Sequence, residues 1–315
     1  MSEPSHLPVL VESLEPTESL PFRLFVQLGD SLILFRTAKD RLAAVDIEEL
    51  LRAEKIELVT SAEESAAYIP QLSKSVEAVK DMPGPPRKKL EECYRRSAVA
   101  TQHILQNAAS PEGGEAAHSL SSTMLELLEE CAFEFAATSN LADCDPSLAQ
   151  HSLRVSVQGL LLGKAVGYPQ LAELGVGLLL HDLGELSLSE EERKCADPAA
   201  IARYRSHPKM GLDMVSEAPW CSPVVRDLVE NHHERLDRSG FPGGLAKEAI
   251  SPAVRIAAIV DTFDERVHGS PRNEPRSNFE VLQEMLQQEA GLYDMPMLQT
   301  YVKLQMAKQK EEAAS

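Results

Sequence analysis

Residues 178–186 read LLLHDLGEL, which places a histidine and an aspartate at the end of an apolar helix. The run GVGLLL that ends at Leu180 predicts a helix that is largely buried. A carboxylate in such surroundings is costly unless it is paired or bound to a metal. His181-Asp182 is therefore either a buried hydrogen-bonded pair or part of a metal site, and a single histidine does not decide between the two.

Further residues of the same chemistry follow this pattern across the C-terminal half. Five of the nine histidines fall within 83 positions, and an aspartate follows them: His151, His181, His207, His232, His233 and Asp261. Imidazoles with a few carboxylates suit first-row transition metals. Two such metals roughly 3.5–4 Å apart can activate a water and bind a phosphoryl group. The ordered set predicts a two-metal hydrolytic centre, because a purely structural explanation would need a separate reason for each residue.

A recurring helix-start signal indicates how these ligands are delivered. Asp or Ser followed by Pro occurs four times: Asp145-Pro146, Asp197-Pro198, Ser222-Pro223 and Ser251-Pro252. Pro fits the first helical position, where its missing amide would be unpaired in any case. The pattern predicts four helices that carry, in turn, His151, His207, the pair His232-His233 and Asp261. A fifth helix, starting near Pro169, is expected to carry His181-Asp182 at its end.

The first part of the chain has a different pattern. Residues 22–28 alternate between apolar and polar side chains, and Gly29-Asp30 is typical of a turn. Residues 22–36 are therefore predicted to form a hairpin. A short helix capped by Asp46 is expected next, and residues 56–69 predict a strand followed by a helix. The Pro-rich run 82–89 is the best domain boundary.

The segment after this boundary reads as helical. It predicts two long helices, 88–109 and 115–138, separated by residues 110–114. We therefore expect an α+β protein: a small N-terminal α/β domain over residues 1–85, a helical linker over 86–144, and an all-α domain over 145–315.

Composition limits the partners. The formal net charge of −18 over 315 residues argues against binding to polymeric nucleic acid or to an anionic membrane. The cysteines are scattered, as in a reduced protein, at positions Cys93, Cys131, Cys144, Cys195 and Cys221. The first residues lack a signal-peptide pattern, and no apolar run approaches the ~20 residues of a membrane helix. We expect a cytoplasmic protein without membrane insertion.

Several segments together resemble the HD-GYP family, bacterial phosphodiesterases of cyclic di-GMP built on the helical HD-domain fold. The resemblance runs from about residue 145 to about residue 305 and rests on HSLRV (151–155), LLLHDLGEL (178–186), HPKMG (207–211), NHHERLDRSGFPGGL (231–245) and RIAAIVDTFDE (255–265). It implies hydrolysis of a small cyclic dinucleotide by a hydroxide that bridges two metals. It also implies that the first 85 residues are a regulatory domain that can bind a protein partner.

The resemblance also implies a ligand scheme. One metal would take His151, His181, Asp182 and Asp261. The other would take Asp182, His207, His232 and His233, with Asp182 bridging the two. Some members bind a third metal through a glutamate at the position of Ser147, so two metals are expected here. The family favours iron, with manganese possible, and the ligand chemistry alone also suits zinc.

Departures from the family pattern concern the substrate contacts. Glu185 stands where the HD-x-GK motif has a lysine that resembles a phosphate clamp, and Phe241 stands where the family has its tyrosine. The basic R-P-Y-R stretch is reduced to GSPRNEPR (269–276), which leaves Arg272 and Arg276. The remaining phosphate contacts would be Arg154, Lys209 and Arg255, with Lys209 also a candidate catalytic residue beside His207.

Two alternatives to the phosphodiesterase stay open for these reasons. The domain could keep its metals yet hydrolyse slowly or not at all, as a signalling or scaffold module. It could also be a hydrolase of another phosphoester. Glu234 and Asp237 are expected either to orient the tandem histidines or to lie in a solvated turn.

Overall fold

The computed structural model describes residues 5–16, 19–52, 56–130 and 147–312. Cys131, Cys144 and the predicted helix start at Asp145-Pro146 lie outside these ranges. The chain begins with an antiparallel sheet whose strands lie in the order β1-β4-β2-β3. The strands are β1 His6–Val9, β2 Leu24–Leu28, β3 Ser31–Arg36 and β4 Glu57–Ser61. The predicted small N-terminal sheet followed by a helical region is confirmed.

The predicted hairpin is formed by β2 and β3, which pair from Leu28–Ser31 outward across the Gly29-Asp30 turn. The expected alternation of buried residues holds only at the sheet end, where Phe22 and Leu24 are buried. Leu28 is exposed, as are Leu32, Ile33 and Leu34 on the strand that pairs with it. Helix α1, Ala44–Arg52, starts before Asp46. The expectation that Asp46 caps it was wrong in position: its carboxylate reaches back from the first turn to the Ala43 amide.

Three helices connect the sheet to the rest of the molecule: α2 Ser65–Glu77, α3 Pro86–Gln106 and α4 Pro111–Glu130. They pack against one another, and α3 also contacts β1. One hydrophobic cluster runs from the sheet through these helices into the C-terminal half. The domain division near residue 85 stays a prediction, and the two sides of it share this cluster.

The expected start of α4 at residue 115 was wrong. The helix begins at Pro111, so Gly113 and Gly114 lie in its first turn. The Ser110 hydroxyl accepts a hydrogen bond from the Gly113 amide and satisfies one of the free donors there. A Cβ on Gly114 would lie 2.3 Å from the Trp220 ring, so this glycine serves close packing and not a break.

The C-terminal half is helical in the residues described. Its helices are α5 Leu148–Ala165, α6 Leu171–Leu180, α7 Glu190–Lys194, α8 Pro198–Tyr204, α9 His207–Val215, α10 Pro223–Asn231, α11 Pro252–His268, α12 Asn278–Gln287 and α13 Met295–Glu312. Helix α6 packs against α5 and α10, and α11 packs against α5. In the described part of the chain, no helix has the length and apolar character needed to cross a membrane.

The helix-start signal is confirmed at three described positions. Asp197, Ser222 and Ser251 each accept backbone amides of the first turn, and each is followed by Pro. The helix that carries His151 begins at Leu148, with Ser147 as its cap. The expectation that the Asp197 helix carries His207 was wrong, because that helix ends at Tyr204 and His207 begins another.

Candidate metal centre

The predicted ligands come together where several helices end or begin. His181 directly follows α6, His207 is the first residue of α9, and His232 and His233 directly follow α10. His151 lies in the first turn of α5, and Asp261 lies within α11. Helix ends suit this purpose because their last carbonyls have no partner within the helix. Those carbonyls are available to orient the imidazoles.

Three imidazoles are oriented by carbonyls near a helix end, of which the Leu228 carbonyl also accepts the backbone amide of His232. Nδ1 lies 2.7 Å from the Leu178 carbonyl in His181, 2.8 Å from the Tyr204 carbonyl in His207, and 3.0 Å from the Leu228 carbonyl in His232. A carbonyl only accepts, so each Nδ1 carries the proton. In the neutral ring, Nε2 then presents a lone pair, which is the form that binds a metal.

The His207 contact follows directly from the sequence. Pro208 has no amide, so it cannot donate to the Tyr204 carbonyl four residues earlier, and α8 ends. The His207 ring takes that carbonyl instead. The turn that contains Gly184 packs against the start of α9. A Cβ on Gly184 would lie 2.0 Å from the His207 carbonyl oxygen. The absence of a side chain at Gly184 therefore allows the turn after Asp182 to approach α9.

Asp182 lies between two groups of ligands. Its Oδ1 is 3.1 Å from Nε2 of His207 and 3.2 Å from Nε2 of His232. Its Oδ2 is 3.4 Å from Nε2 of both His151 and His181. The side chain is buried, with 3% exposed. It is therefore the residue that both groups share.

Two sets of possible ligand atoms result, each within 4.8 Å: His151, His181, Asp182 and Asp261 in one, and Asp182, His207, His232 and His233 in the other. Asp182 Oδ1 and both oxygens of Asp261 are buried without a hydrogen-bond partner. The Nε2 atoms of His207 and His232 face each other at 3.2 Å. Converging lone pairs and unpartnered carboxylate oxygens are costly to bury. The donor set therefore fits two metal cations.

The pKa shifts of the buried His181, Asp182 and Asp261 reflect the close approach of these carboxylates and imidazoles. Burial alone would lower the pKa of His181, but the carboxylates of Asp182 and Asp261 outweigh it and raise that pKa to about 10. Burial would raise the pKa of Asp182 and Asp261, yet the surrounding histidines hold both well below the ordinary range. The site retains two carboxylates and attracts positive charge, from protons or from metals.

A residue that sequence reasoning did not assign, Asp264, orients His151. Its Oδ2 lies 2.9 Å from Nδ1 of His151, and it accepts bonds from the Arg154 guanidinium at 2.9–3.1 Å. Arg154 is fully buried. The expected role of Arg154 as a phosphate contact is therefore corrected: its side chain pairs with a buried carboxylate and has no surface open to a substrate.

Glu185 is buried next to the centre and faces a cation. Its Oε1 lies 3.4 Å from the guanidinium of Arg272, which also pairs with Glu265. The Arg272 guanidinium lies over the Tyr204 ring, 3.8 Å from its centroid. Burial and the nearby Asp182 raise the pKa of Glu185, and Arg272 opposes them. The charge of Glu185, which stands at the family's lysine position, is thus partly neutralised by Arg272, a residue expected to contact the substrate.

Tyr204 is the second residue that the sequence interpretation missed. It is buried, and its hydroxyl lies 3.2 Å from Nε2 of His233. The ring of Phe241 stacks on His233, with centroids 4.4 Å apart. Phe241, at the family's tyrosine position, therefore keeps a ring at the centre, and Tyr204 supplies a hydroxyl nearby.

The segment after the tandem histidines is held by Glu234. Its carboxylate accepts the amides of Gly243, Gly244 and Leu245 at 2.6–3.0 Å. Glu234 was expected either to orient the tandem histidines or to lie in a solvated turn. Instead, it is buried and holds the loop that carries Phe241. Asp237 is exposed and accepts the Ser239 amide, which is the solvated turn that was expected as an alternative.

The other cations expected at a phosphate lie elsewhere. Arg255 donates to the carbonyls of Ile250 and Lys247 and pairs with Asp294, so it joins the start of α11 to that of α13. Lys209 is exposed, and two residues after His207 it lies on the other side of α9. Arg276 pairs with Glu284. Arg272 is the expected substrate contact that lies beside the buried centre.

Comparison with known proteins decides the family. Residues 138–297 match the HD domain family, which is just over half of the chain. The chain belongs to the HD-domain family. The HD-GYP resemblance is confirmed by its relatives. The chain is 27% identical over 241 residues to a cyclic di-GMP phosphodiesterase of Pseudomonas aeruginosa, covering 70% of this chain and 56% of that protein.

Two further relatives of this HD-domain chain are also named as phosphodiesterases of a cyclic dinucleotide. It is 24% identical to a cyclic di-GMP phosphodiesterase of Thermotoga maritima, covering 51% of this chain and 45% of that protein. It is 33% identical over 141 residues to 3'3'-cGAMP-specific phosphodiesterase 1 of Vibrio cholerae, covering 42% of this chain and 32% of that protein. The chain thus spans about a third to just over half of the length of these relatives.

A solved structure shows the same fold over almost the whole length. An HDG"Y"P protein from Bdellovibrio bacteriovorus aligns with a TM-score of 0.69 at 17% identity, covering 96% of this chain and 99% of that one. The alignment includes the N-terminal sheet region as well as the HD domain, because so little of either chain lies outside it.

Proposed function

We propose that this chain is a two-metal phosphodiesterase that hydrolyses cyclic di-GMP. The observation that carries the proposal is the shared position of Asp182 between two ligand groups, with the unpartnered oxygens of Asp261 beside it. When bound, two metals supply an activated water and neutralise charge on the phosphoryl group. Iron is our first choice, with manganese or zinc as alternatives, and Ser147 at the position of a third-metal glutamate favours two ions.

The residues of the chain have separate tasks in this proposal. Asp182 would contribute to both metal positions, because its two carboxylate oxygens face different groups of histidines. The backbone carbonyls behind His181, His207 and His232 keep each ring in the metal-binding tautomer. Asp264 does the same for His151. Because these partners are buried and already in place, the ligands need little rearrangement to bind a metal.

Substrate binding is assigned to Arg272. A guanidinium binds phosphate through paired N–H donors. Its stacking on Tyr204 and its pairs with Glu185 and Glu265 hold it next to the ligand groups. The two carboxylates also compete with a phosphate for the same donors, so we expect slower turnover or weaker binding than a lysine at position 185 would give. Lys209, being exposed, is a contact only for an outer part of a substrate.

Hydrolysis and metal content test the proposal together. The protein is purified without oxygen, its metals are counted, and release of the linear dinucleotide from cyclic di-GMP is followed. Asp182→Ala is the test variant, and Asp237→Ala, at an exposed aspartate, is its matched control. We expect about two metals per chain and product in the wild type and the control, and loss of both metals and of product in Asp182→Ala. Unchanged metal content in Asp182→Ala would contradict the assignment of the bridge.

Two further substrates separate the alternatives. The similarity to a 3'3'-cGAMP-specific phosphodiesterase makes that dinucleotide the second candidate. A generic aryl phosphodiester tests for hydrolysis of another phosphoester. Protein that holds its metals and hydrolyses none of the three would favour a signalling or scaffold module, for which Glu185 and Phe241 are the sequence reasons.

A further inference from the structure

Arg205 is an exposed arginine close to the metal centre. It directly follows α8, and its backbone amide donates to the Ile201 carbonyl. Its guanidinium lies over the ring of Phe241, with the central carbon 5.3 Å from the ring centroid. Phe241 in turn stacks on His233, a ligand of the second group, with centroids 4.4 Å apart. A single ring therefore separates this cation from a candidate metal ligand.

The charge of Arg205 is not used within the protein. In the part of the chain that the structure describes, its side chain makes no ion pair and donates no hydrogen bond. By contrast, Arg272 pairs with two carboxylates, and Arg255 and Arg276 each pair with one. Acidic residues outnumber lysines and arginines by 49 to 31 in this chain, so carboxylates are plentiful. The guanidinium of Arg205 is thus available to an anionic ligand.

The contact with Phe241 restrains this guanidinium and leaves its donors free. A cation over an aromatic ring is attracted by the negative face of the ring. This attraction uses none of the five N–H groups, which can still donate to the oxygens of a phosphate in pairs. A side chain that is restrained before binding loses less freedom when the ligand arrives. Arg205 is therefore suited to bind a phosphodiester.

A second guanidinium lies on the neighbouring ring. Arg272 lies over Tyr204, and the rings of Tyr204 and Phe241 are in edge contact with centroids 6.2 Å apart. Both rings also lie against the imidazole of His207, at 4.8 Å for Tyr204 and 6.3 Å for Phe241. Two cations are thus held on adjacent aromatic rings next to the same ligand group.

The chemistry of the substrate gives these two cations separate tasks. A cyclic dinucleotide has two phosphodiester groups, and one hydrolytic step places only one of them at the metals. The net charge of −18 repels such a dianion, so local cations are needed to hold it. We propose, on the basis of the proposed function, that Arg205 binds the second phosphate of the cyclic dinucleotide while Arg272 contacts the phosphate that reacts.

Calorimetric titration of the full chain with its metals tests this assignment. Arg205→Ala should raise the dissociation constant for cyclic di-GMP about tenfold, or ~1.4 kcal/mol, and its effect on turnover should fall on KM and not on kcat. Arg205→Lys should recover part of the loss, because it keeps the charge but not the paired donors. Arg203→Ala is the matched control, since Arg203 is also exposed but pairs with Glu192. It should bind cyclic di-GMP as the wild type does.

The linear dinucleotide GpG distinguishes the second phosphate from the bases, because it contains both guanines but a single phosphodiester. Arg205→Ala should weaken binding of GpG far less than binding of cyclic di-GMP. Equal losses for the two ligands would overturn the proposal, and so would equal dissociation constants of Arg205→Ala and Arg203→Ala for cyclic di-GMP. A wild type that binds cyclic di-GMP without hydrolysing it would contradict the proposed function alone, and the same comparison of variants would still decide the role of Arg205.

Discussion

The carboxylate of Asp264 lies 2.9 Å from Nδ1 of His151 and so orients a ligand of the centre without facing the second ligand group. The same carboxylate balances the buried charge of Arg154. His151 and His268 hold the pKa of Asp264 far below its usual range although burial would raise it, and Arg154 adds to their effect. One buried anion therefore fixes an imidazole and compensates a guanidinium.

Replacing Asp264 by asparagine should weaken metal binding. The amide keeps the shape of the side chain but removes the charge that fixes His151, and loss of such a partner typically lowers metal affinity about 10–100-fold. The buried Arg154 would also lose its ion pair with Asp264, which should lower stability. Metal titration and chemical denaturation measure the two effects. Asp237→Asn, at an exposed turn, is the control, and equal behaviour of both variants would argue against the role of Asp264.

Glu185→Gln should strengthen binding of a cyclic dinucleotide. The substitution removes a negative charge 3.4 Å from the Arg272 guanidinium, so that one of the two carboxylates that pair with this cation no longer competes with a phosphate. We expect about a tenfold lower dissociation constant or KM, equivalent to ~1.4 kcal/mol, and Glu185→Lys should act in the same direction. Calorimetric titration with cyclic di-GMP measures it. Glu191→Gln, an exposed neighbour, should have no effect. No change in either Glu185 variant would mean that this side chain does not limit phosphate binding.

Tyr204→Phe should reduce metal affinity while the fold stays intact. The variant removes the hydroxyl that lies 3.2 Å from Nε2 of His233 and keeps the ring on which Arg272 stacks. A lost hydrogen bond of this kind costs about 1 kcal/mol, so we expect roughly a fivefold weaker binding of the metal held by the second ligand group. Metal counting under competition with a chelator measures it. Tyr168→Phe, at a half-buried tyrosine, is the control. Equal chelator sensitivity in the two variants would exclude Tyr204 from the support of His233.

The ligand residues could be found from the sequence because each belongs to a short local pattern. His181-Asp182 follows an apolar helix, and three described Asp/Ser-Pro starts mark the helices near the other ligands. The partners that orient the ligands could not be found in this way. Asp264 reaches His151 from a helix more than 100 positions away along the chain, and no spacing rule links the two.

The substrate contacts were the least predictable part. Arg154, Arg255 and Arg272 look alike in the sequence, since each is an arginine close to a candidate ligand or motif. Their environments differ: Arg154 is fully buried against Asp264, Arg255 joins two helix starts, and Arg272 stacks on Tyr204 beside the centre. Which cation faces a substrate depends on tertiary packing, which local sequence does not specify.

Stability should fall in mild acid because of His103, which joins α3 to the sheet. Its Nε2 lies 2.8 Å from the Pro8 carbonyl, and its ring packs edge-on against Tyr68. Burial lowers the pKa of His103 to about 4, against about 6.5 in an unfolded chain. Between these values only the unfolded state takes up the proton. Stability is therefore complete above pH ~6.5 and is lost as the pH falls towards 4, by about 3 kcal/mol.

Urea denaturation of wild type and His103→Gln at a series of pH values isolates this contribution. The variant has no group to protonate at this position, so the difference in free energy of unfolding between the two proteins should shrink by about 3 kcal/mol from pH 7 to pH 4. His118→Gln, at a half-buried histidine of α4, should track the wild type. If the curves of wild type and His103→Gln run parallel over that interval, protonation of His103 does not drive the acid sensitivity, and the buried carboxylates of the metal centre become the next candidates.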